Sequence, residues 1–248
     1  MAKNTENNVY TVLFATGMVL VVGTLLAFVA ASLKGKITEN KRIEKQQNIL
    51  YAMGVNENDD AGVTFVSKDI VDSEFSKYII KQLVITGTEA VEDSNAYLID
   101  LKKEEAESKA QKRERKLPLF IGEKDGKDYY IIPVRGKGLW DAIWGYVALD
   151  SELVVQGVFF DHAGETPGLG ANIKERFFMD DFKGEHILDG DKFVGITAAK
   201  GNSDPKNLDK TDFEVDAIAG ATITGNGLSA MLKKDLKMYM PYLQTLKK

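Results

Sequence analysis

Cysteine is absent from all 248 residues. That excludes disulfides, thiol nucleophiles and cysteine-ligated iron–sulfur clusters, and it leaves the chain indifferent to an oxidising compartment. Histidine is nearly absent, His162 and His186 being the whole supply, so no imidazole-dominated metal centre is expected and no metal ligand is assigned. Basic residues are the minority, 32 Lys and Arg against 37 Asp and Glu, and they form no stripe; nucleic acid is not an expected partner. Neither a Walker loop nor a dinucleotide fingerprint occurs, which leaves ATP and nicotinamide sites unsupported. The charged clusters of hydrolytic catalysis are also missing. The adjacent carboxylates Asp180 and Asp181 read as solvated helix surface, and no residue is assigned a catalytic role.

Charge is missing from one further place. Val9 to Leu33 is a run of 25 uncharged, mostly apolar residues, about 37 Å as a helix, enough to cross a hydrocarbon core of about 30 Å with some tilt. A cleaved leader is the competing reading; against it, the run is too long for an h-region and Lys3 is the one basic residue ahead of it. Gly23, Ala27 and Ala31 recur every four residues, a spacing that admits a neighbouring helix but is also ordinary in membrane segments. Lys34, Lys36, Lys41, Arg42 and Lys45 follow the run, and by charge alone they place the large C-terminal part in the cytoplasm.

The remainder has a globular composition, 44% hydrophobic and 28% charged. The expected organisation is a short tail at 1–8, a membrane helix at 9–33, a membrane-proximal segment at 34–117 and a domain at 118–248. Within the membrane-proximal segment, Lys36 to Met53 reads as a helix continuing from the membrane. Ser67 to Thr86 and Asn95 to Leu101 suit a mixed α/β layer, and Lys102 to Lys116 is a charge run expected as a solvated helix or linker. Strand signals then dominate. Asp125-Gly126 between two apolar runs predicts a hairpin, and Asp150-Ser151-Glu152 repeats the arrangement. A strand is expected at Phe193 to Ala198 and a short helix at Arg176 to Phe182. Leu228, Met231, Leu232, Leu236 and Tyr239 fall on one face of a last helix, with Thr224 its expected N-cap. The fold class is α+β, a twisted antiparallel sheet with packed helices behind one transmembrane helix.

Three glycine-bearing stretches suggest a site. In RGKGLW, Gly136 and Gly138 permit close backbone approach, and Trp140 offers a flat surface on which an aromatic ligand could stack, or a core residue. In DHAGETPGLG, Gly164, Pro167, Gly168 and Gly170 surround Glu165 and Thr166, either as a cradle of amides or as a wide turn. In DAIAGATIT, Gly220 and Ala221 lead to Thr222 at the entry of the last helix, where unpaired amides favour a phosphate.

At these residues the sequence resembles a known family. Asp216-Ala-Ile-Ala-Gly-Ala-Thr222 is similar to the flavinylation motif D-x-x-(S/T)-G-A-T, in which FMN is joined through its phosphate to the threonine by a flavin transferase using FAD. Together with VRGKGLW, WGYVAL, HAGETPGLG and Asn48-Ile49-Leu50 after the anchor, it resembles the C subunit of the sodium-translocating NADH:quinone oxidoreductase. The G subunit of the Rnf electron-transport complex shares the ETPGLG and GAT elements and is the alternative within this FMN-binding family; an anchored FMN-binding module without turnover is the alternative of another class. The resemblance implies covalent FMN on Thr222, ring contacts from Gly138, Leu139, Trp140, Gly168, Leu169 and Gly170, edge contacts from Glu165 and Thr166, and phosphate contacts around Gly220, Ala221, Thr224 and Lys200. It implies a six-subunit inner-membrane complex as partner, with electrons arriving from a membrane iron centre and leaving to the B subunit. It also implies a periplasmic position for the flavin domain, against the charge count, and this is the orientation expected here. Ala219 departs from the motif's serine or threonine; the acceptor being Thr222, the departure bears on recognition by the transferase.

Overall fold

A computed structural model describes residues 8–59, 62–201, 204 and 206–246. The short tail lies outside the described residues except for Asn8. The first element, α1 (Asn8–Ala52), is one continuous helix of 45 residues, long and apolar enough to cross a membrane, with none of its apolar window buried. The chain divides into two compact units at Glu44/Lys45. The first holds the apolar part of α1.

The second unit is built on a six-stranded antiparallel sheet of order β2-β1-β3-β4-β5-β6. Its strands are β1 (Ile79–Thr86), β2 (Glu89–Glu92), β3 (Leu117–Lys124), β4 (Lys127–Lys137), β5 (Ala142–Leu149) and β6 (Val155–His162). The Asp125-Gly126 hairpin forms as expected. Both residues have positive φ, 54° and 71°, and Lys124 pairs with Lys127 across a two-residue turn, the backbone that matches the sheet's twist. Asp150 organises the next hairpin by accepting from the amides of Glu152 and Val154 at 2.9 and 3.0 Å.

Alternation along the strands gives the sheet two apolar faces. Gly122 and Gly157 share one face, and a Cβ on either would strike Met53 or Ala52 at the end of α1. There Tyr51, Phe65 and Phe159 pack ring to ring. Gly136 lies on the other face, where a Cβ would sit 2.7 Å from Met231 of α5 (Thr222–Leu246). Leu228, Met231, Leu232, Leu236 and Tyr239 are all buried, as their helical spacing predicts. β4 outruns its partner β3, and the helix covers the exposed ladder: Asp235 accepts from the Arg135 amide at 2.7 Å. Tyr239, fully buried, donates its hydroxyl to the Pro118 carbonyl at 2.9 Å.

Several expectations change. The strand expected at Phe193–Ala198 is two short ones, β8 (Lys192–Phe193) and β9 (Thr197–Ala199), because Gly195 at φ +77° breaks the run. β8 pairs with β7 (Leu188–Asp189), and β9 pairs in parallel with β10 (Glu214–Asp216). The charge run is not simply solvated. It forms α3 (Leu101–Gln111), capped by Asp100, and Glu104 turns inward to accept from Arg113 and from the Lys116 amide at 2.8 Å. The upstream segment also supplies α2 (Val71–Tyr78) and two sheet strands, so the sheet extends back across residue 118, where the sequence pattern suggested a boundary. The short helix appears as α4 (Arg176–Met179) and a 3₁₀ turn; Asp180 is exposed, whereas Asp181 is half-buried.

Just beyond that turn, Glu185 is fully buried and pairs with Lys210 at 3.3 Å. Burial pushes its carboxyl up to about 7, further than Lys210 pulls it down. A raised folded-state value means that the proton is held more tightly folded than unfolded. Its contribution is therefore full below the ordinary 4.5 and is lost as pH rises through about 7. Glu185→Gln should flatten the pH dependence of unfolding free energy across that window, by on the order of 3 kcal/mol at most, as read from urea unfolding at a series of pH values.

Candidate functional site

Three connections converge at one end of the sheet: residues 138–141 between β4 and β5, residues 163–170 after β6, and residues 217–221 between β10 and α5. They enclose a cleft of about 240 Å³, lined chiefly by Leu139, Glu165, Thr166, Leu169, Gly220 and Thr222. The three glycine-bearing stretches singled out in the sequence thus meet.

The second connection owes its shape to a turn. Thr166-Pro167-Gly168-Leu169 closes with the Leu169 amide on the Thr166 carbonyl at 3.1 Å, with Gly168 at φ +75°; this is the backbone that a Pro-Gly pair favours. The turn directs Leu169 towards Gly220 in the third connection, where a Cβ would come within 2.8 Å of the leucine side chain. Gly220 has φ +74°.

Glu165 occupies the junction. Only 4% of it is exposed. Its carboxylate accepts from the amides of Trp140 at 2.9 Å, Leu139 at 3.3 Å and Asp141 at 3.5 Å, and from the Thr224 hydroxyl at 2.5 Å. Its own amide donates to His162 Nδ1 at 3.1 Å. Burial alone would push the carboxyl up, but the Thr224 hydroxyl and the three amides outweigh it and hold the group below the ordinary carboxylate value. The stability it brings is therefore present above the ordinary 4.5 and lost on acidification through its folded value. Its bonds run to the protein's own loops, while the residue also lines the cleft.

Thr224 changes role. The first intrahelical bond, from the Gly225 amide to the Ala221 carbonyl at 2.9 Å, puts Ala221 at the capping position, and an alanine has no oxygen with which to cap. Thr224 lies inside the first turn, buried against Glu165. Thr222, at the start of the helix, is exposed.

Apolar surface surrounds it. Leu139, Trp140, Leu169 and Ile223 are 40–67% exposed, although solvent-facing side chains of this size are usually dispersed. Trp140 is thus an exposed ring and not a core residue, steered by an indole N–H donated to Thr166 Oγ1 at 3.2 Å. Ile223 is a site residue that the sequence pattern did not single out; its signal was an apolar residue directly after the acceptor-like threonine, off the buried face of α5. Gly138 sits under Glu165 and Gly168 within the turn, while Lys200 follows β9 and is not among the residues lining the cleft.

These residues fit a flavin phosphate. The first amides of a 25-residue helix open beside an exposed hydroxyl, with no capping side chain at Ala221 and an apolar rim alongside. The cleft is smaller than the roughly 300–1,000 Å³ in which small molecules are commonly enclosed, so a flavin ring would rest against the rim with much of its surface open.

Gly170 tests how tightly this junction is packed. An added Cβ would lie 2.5 Å from Thr224 Oγ1 and 2.6 Å from Glu165 Oε2, whereas at Gly164 it would meet only Asp141 at 3.9 Å. Gly170→Ala should cost about 1–3 kcal/mol of unfolding free energy and Gly164→Ala close to nothing, measured side by side in urea.

An FMN-binding domain model matches residues 138–237, a span that contains all three connections and most of α5. The C subunit of the Na(+)-translocating NADH-quinone reductase of Pseudomonas aeruginosa is 31% identical over 241 residues, covering 92% of this chain and 91% of the relative. The corresponding C subunit from Neisseria meningitidis serogroup B is 28% identical and covers 100% and 98%. Among solved structures, the C subunit from Parabacteroides distasonis superposes with a TM-score of 0.71 at 30% identity, covering 85% of this chain and 96% of that one. NqrC of Shewanella oneidensis gives 0.66 at 26% identity, covering 84% and 98%. With the sheet, the helix entry and the sequence agreeing along nearly the whole length, the chain belongs to the C-subunit family of the Na(+)-translocating NADH-quinone reductases.

Proposed function

We propose that this chain is a membrane-anchored electron-carrying subunit of such a reductase, with FMN esterified through its phosphate to Thr222. The observation that carries the reading is an exposed Thr222 at a helix start whose capping position is an alanine, lining an apolar-rimmed cleft. In the attachment step the Thr222 oxygen takes the flavin-bearing phosphoryl group from FAD. The new bond is Oγ1–P, the bond to AMP breaks, and the threonine proton leaves to solvent. A separate flavin transferase supplies the catalysis.

When bound, the flavin supplies the redox chemistry. The protein's part is placement. The α5 amides would hold the phosphate, Leu139, Leu169 and Ile223 of the cleft would offer apolar surface to the ring, and the exposed Trp140 beside Leu139, its indole steered by Thr166, would extend that surface beyond the cleft lining. Lys200 is left out of this set. A covalent tether suits a domain on the outer face of the inner membrane, where a dissociated cofactor would be lost. Electron exchange with a membrane iron centre and the B subunit, and coupling to sodium, belong to the assembled complex; the uncharged run of α1 carries no ion-binding carboxylate.

After co-expression with the transferase, the denatured chain should fluoresce as a flavin band on a gel and gain the mass of FMN less water. Thr222→Ala should lose both signals entirely, and Thr222→Ser, which keeps a hydroxyl, should retain them. A fluorescent Thr222→Ala band would show another acceptor. Orientation has a clean assay because the chain has no cysteine. Lys183 is exposed, and Lys183→Cys should react with a membrane-impermeant maleimide in intact spheroplasts without permeabilisation; labelling only after lysis would put the domain in the cytoplasm.

A further inference from the structure

We propose that Glu165 is the positioning residue of the flavin site and also its resident negative charge. One buried carboxylate locks the tryptophan loop, the glycine loop and the attachment helix into a single arrangement, and the same charge then opposes electron uptake by the flavin held there. The second half rests on the reading that Thr222 carries the flavin.

Positioning follows from where the donors come from. The amides of Leu139, Trp140 and Asp141 belong to the first connection, Glu165 itself to the second, and Thr224 to the first turn of α5, two residues beyond the acceptor. No other side chain that lines the cleft joins all three. Two glycines make room for it. At Gly138 and Gly170 an added Cβ would fall 2.5 and 2.6 Å from its carboxylate oxygens. The His162 contact fixes its backbone from behind, so tip and root are both held.

The charge follows from the same set of donors. All of them are neutral, and among the described residues no lysine or arginine pairs with Glu165. Dipoles stabilise the carboxylate without cancelling its charge. The group is ionised at neutral pH, as its lowered pKa requires. It lines the cleft, well within a Debye length of anything bound there, in surroundings that screen it poorly. An electron taken up without a proton by a flavin held there would bring a further negative charge near the carboxylate, which would therefore hold the midpoint potential down.

The two roles separate by substitution in the full-length chain co-expressed with the transferase. Glu165→Gln keeps the shape: its carbonyl can still accept from the Trp140 amide, and its NH₂ can donate to Thr224 Oγ1 once that hydroxyl rotates. It should retain at least half of the covalent flavin, while dithionite titration shows the potential moved positive by roughly 59 mV, a tenfold change in a one-electron equilibrium. Glu165→Ala removes the lock and should lower covalent flavin at least tenfold. Thr224→Val should lower it less, and the double variant should be no worse than Glu165→Ala alone, the mark of coupled residues. An unchanged potential in Glu165→Gln overturns the charge; full flavin loading in Glu165→Ala overturns the positioning. Should Thr222→Ala still carry flavin, the attachment reading fails by itself. Positioning is then judged in flavin-free protein with Trp144→Phe, which removes the chain's other tryptophan; there Glu165→Ala should depolarise Trp140 emission faster than its parent. Equal depolarisation sinks it.

Discussion

A carboxylate taken out of water needs donors for both of its oxygens, and an unmet one costs far more than a met one returns. In this protein the donors for Glu165 come from two other stretches, residues 139–141 and Thr224, at opposite ends of the site's sequence. The cost of leaving that carboxylate unsatisfied is therefore what holds the cleft together. The loops have little hydrophobic mass of their own; their large apolar side chains point outward. Polar closure beneath allows the rim to stay apolar and open, and an open apolar rim is what a flat ring needs.

The sheet supplies the rigidity behind this junction. Both faces are covered, by the end of α1 with Phe65 on one and by α5 on the other, and backbone groups left by uneven strand lengths are met by helix side chains such as Asp235. Ser229 of α5 does the same for the Ala198 amide at 2.9 Å. The helix that presents Thr222 is thus pinned to the sheet along its length, and the start of that helix inherits the precision of the core.

Much of this was legible in the residues. Asp125-Gly126 announced its hairpin because only a few residues tolerate two successive positive φ angles, and the buried face of α5 was written in helical spacing. The three loops were legible as a site through their glycines. What was not legible was direction. A glutamate amid glycines does not announce which donors will meet it, and here they are amides and a hydroxyl from distant parts of its own chain. Thr224 has the chemistry of a cap but sits one turn too deep. Gly195 broke a strand that its apolar neighbours advertised; the place of β1 beside β3 was hidden because pairing across some 30 residues leaves no local period, and β2, which returns on β1 across a two-residue turn, is exposed throughout and carries no apolar alternation. Local rules read elements well; long-range hydrogen bonding decides which way functional side chains face.

The surroundings of Thr222 require α5 to dock against loops that lie much earlier in the sequence; the close seating of Gly227 on the Lys137 carbonyl shows how fully the two must join. Until α5 has been made and has docked, the pocket does not exist. Under the proposed attachment, loading is a post-folding event, and truncated or misfolded copies present Asp216–Thr222 without the frame around it. Cofactor occupancy then doubles as quality control: a protein that carries flavin has, by that fact, finished folding.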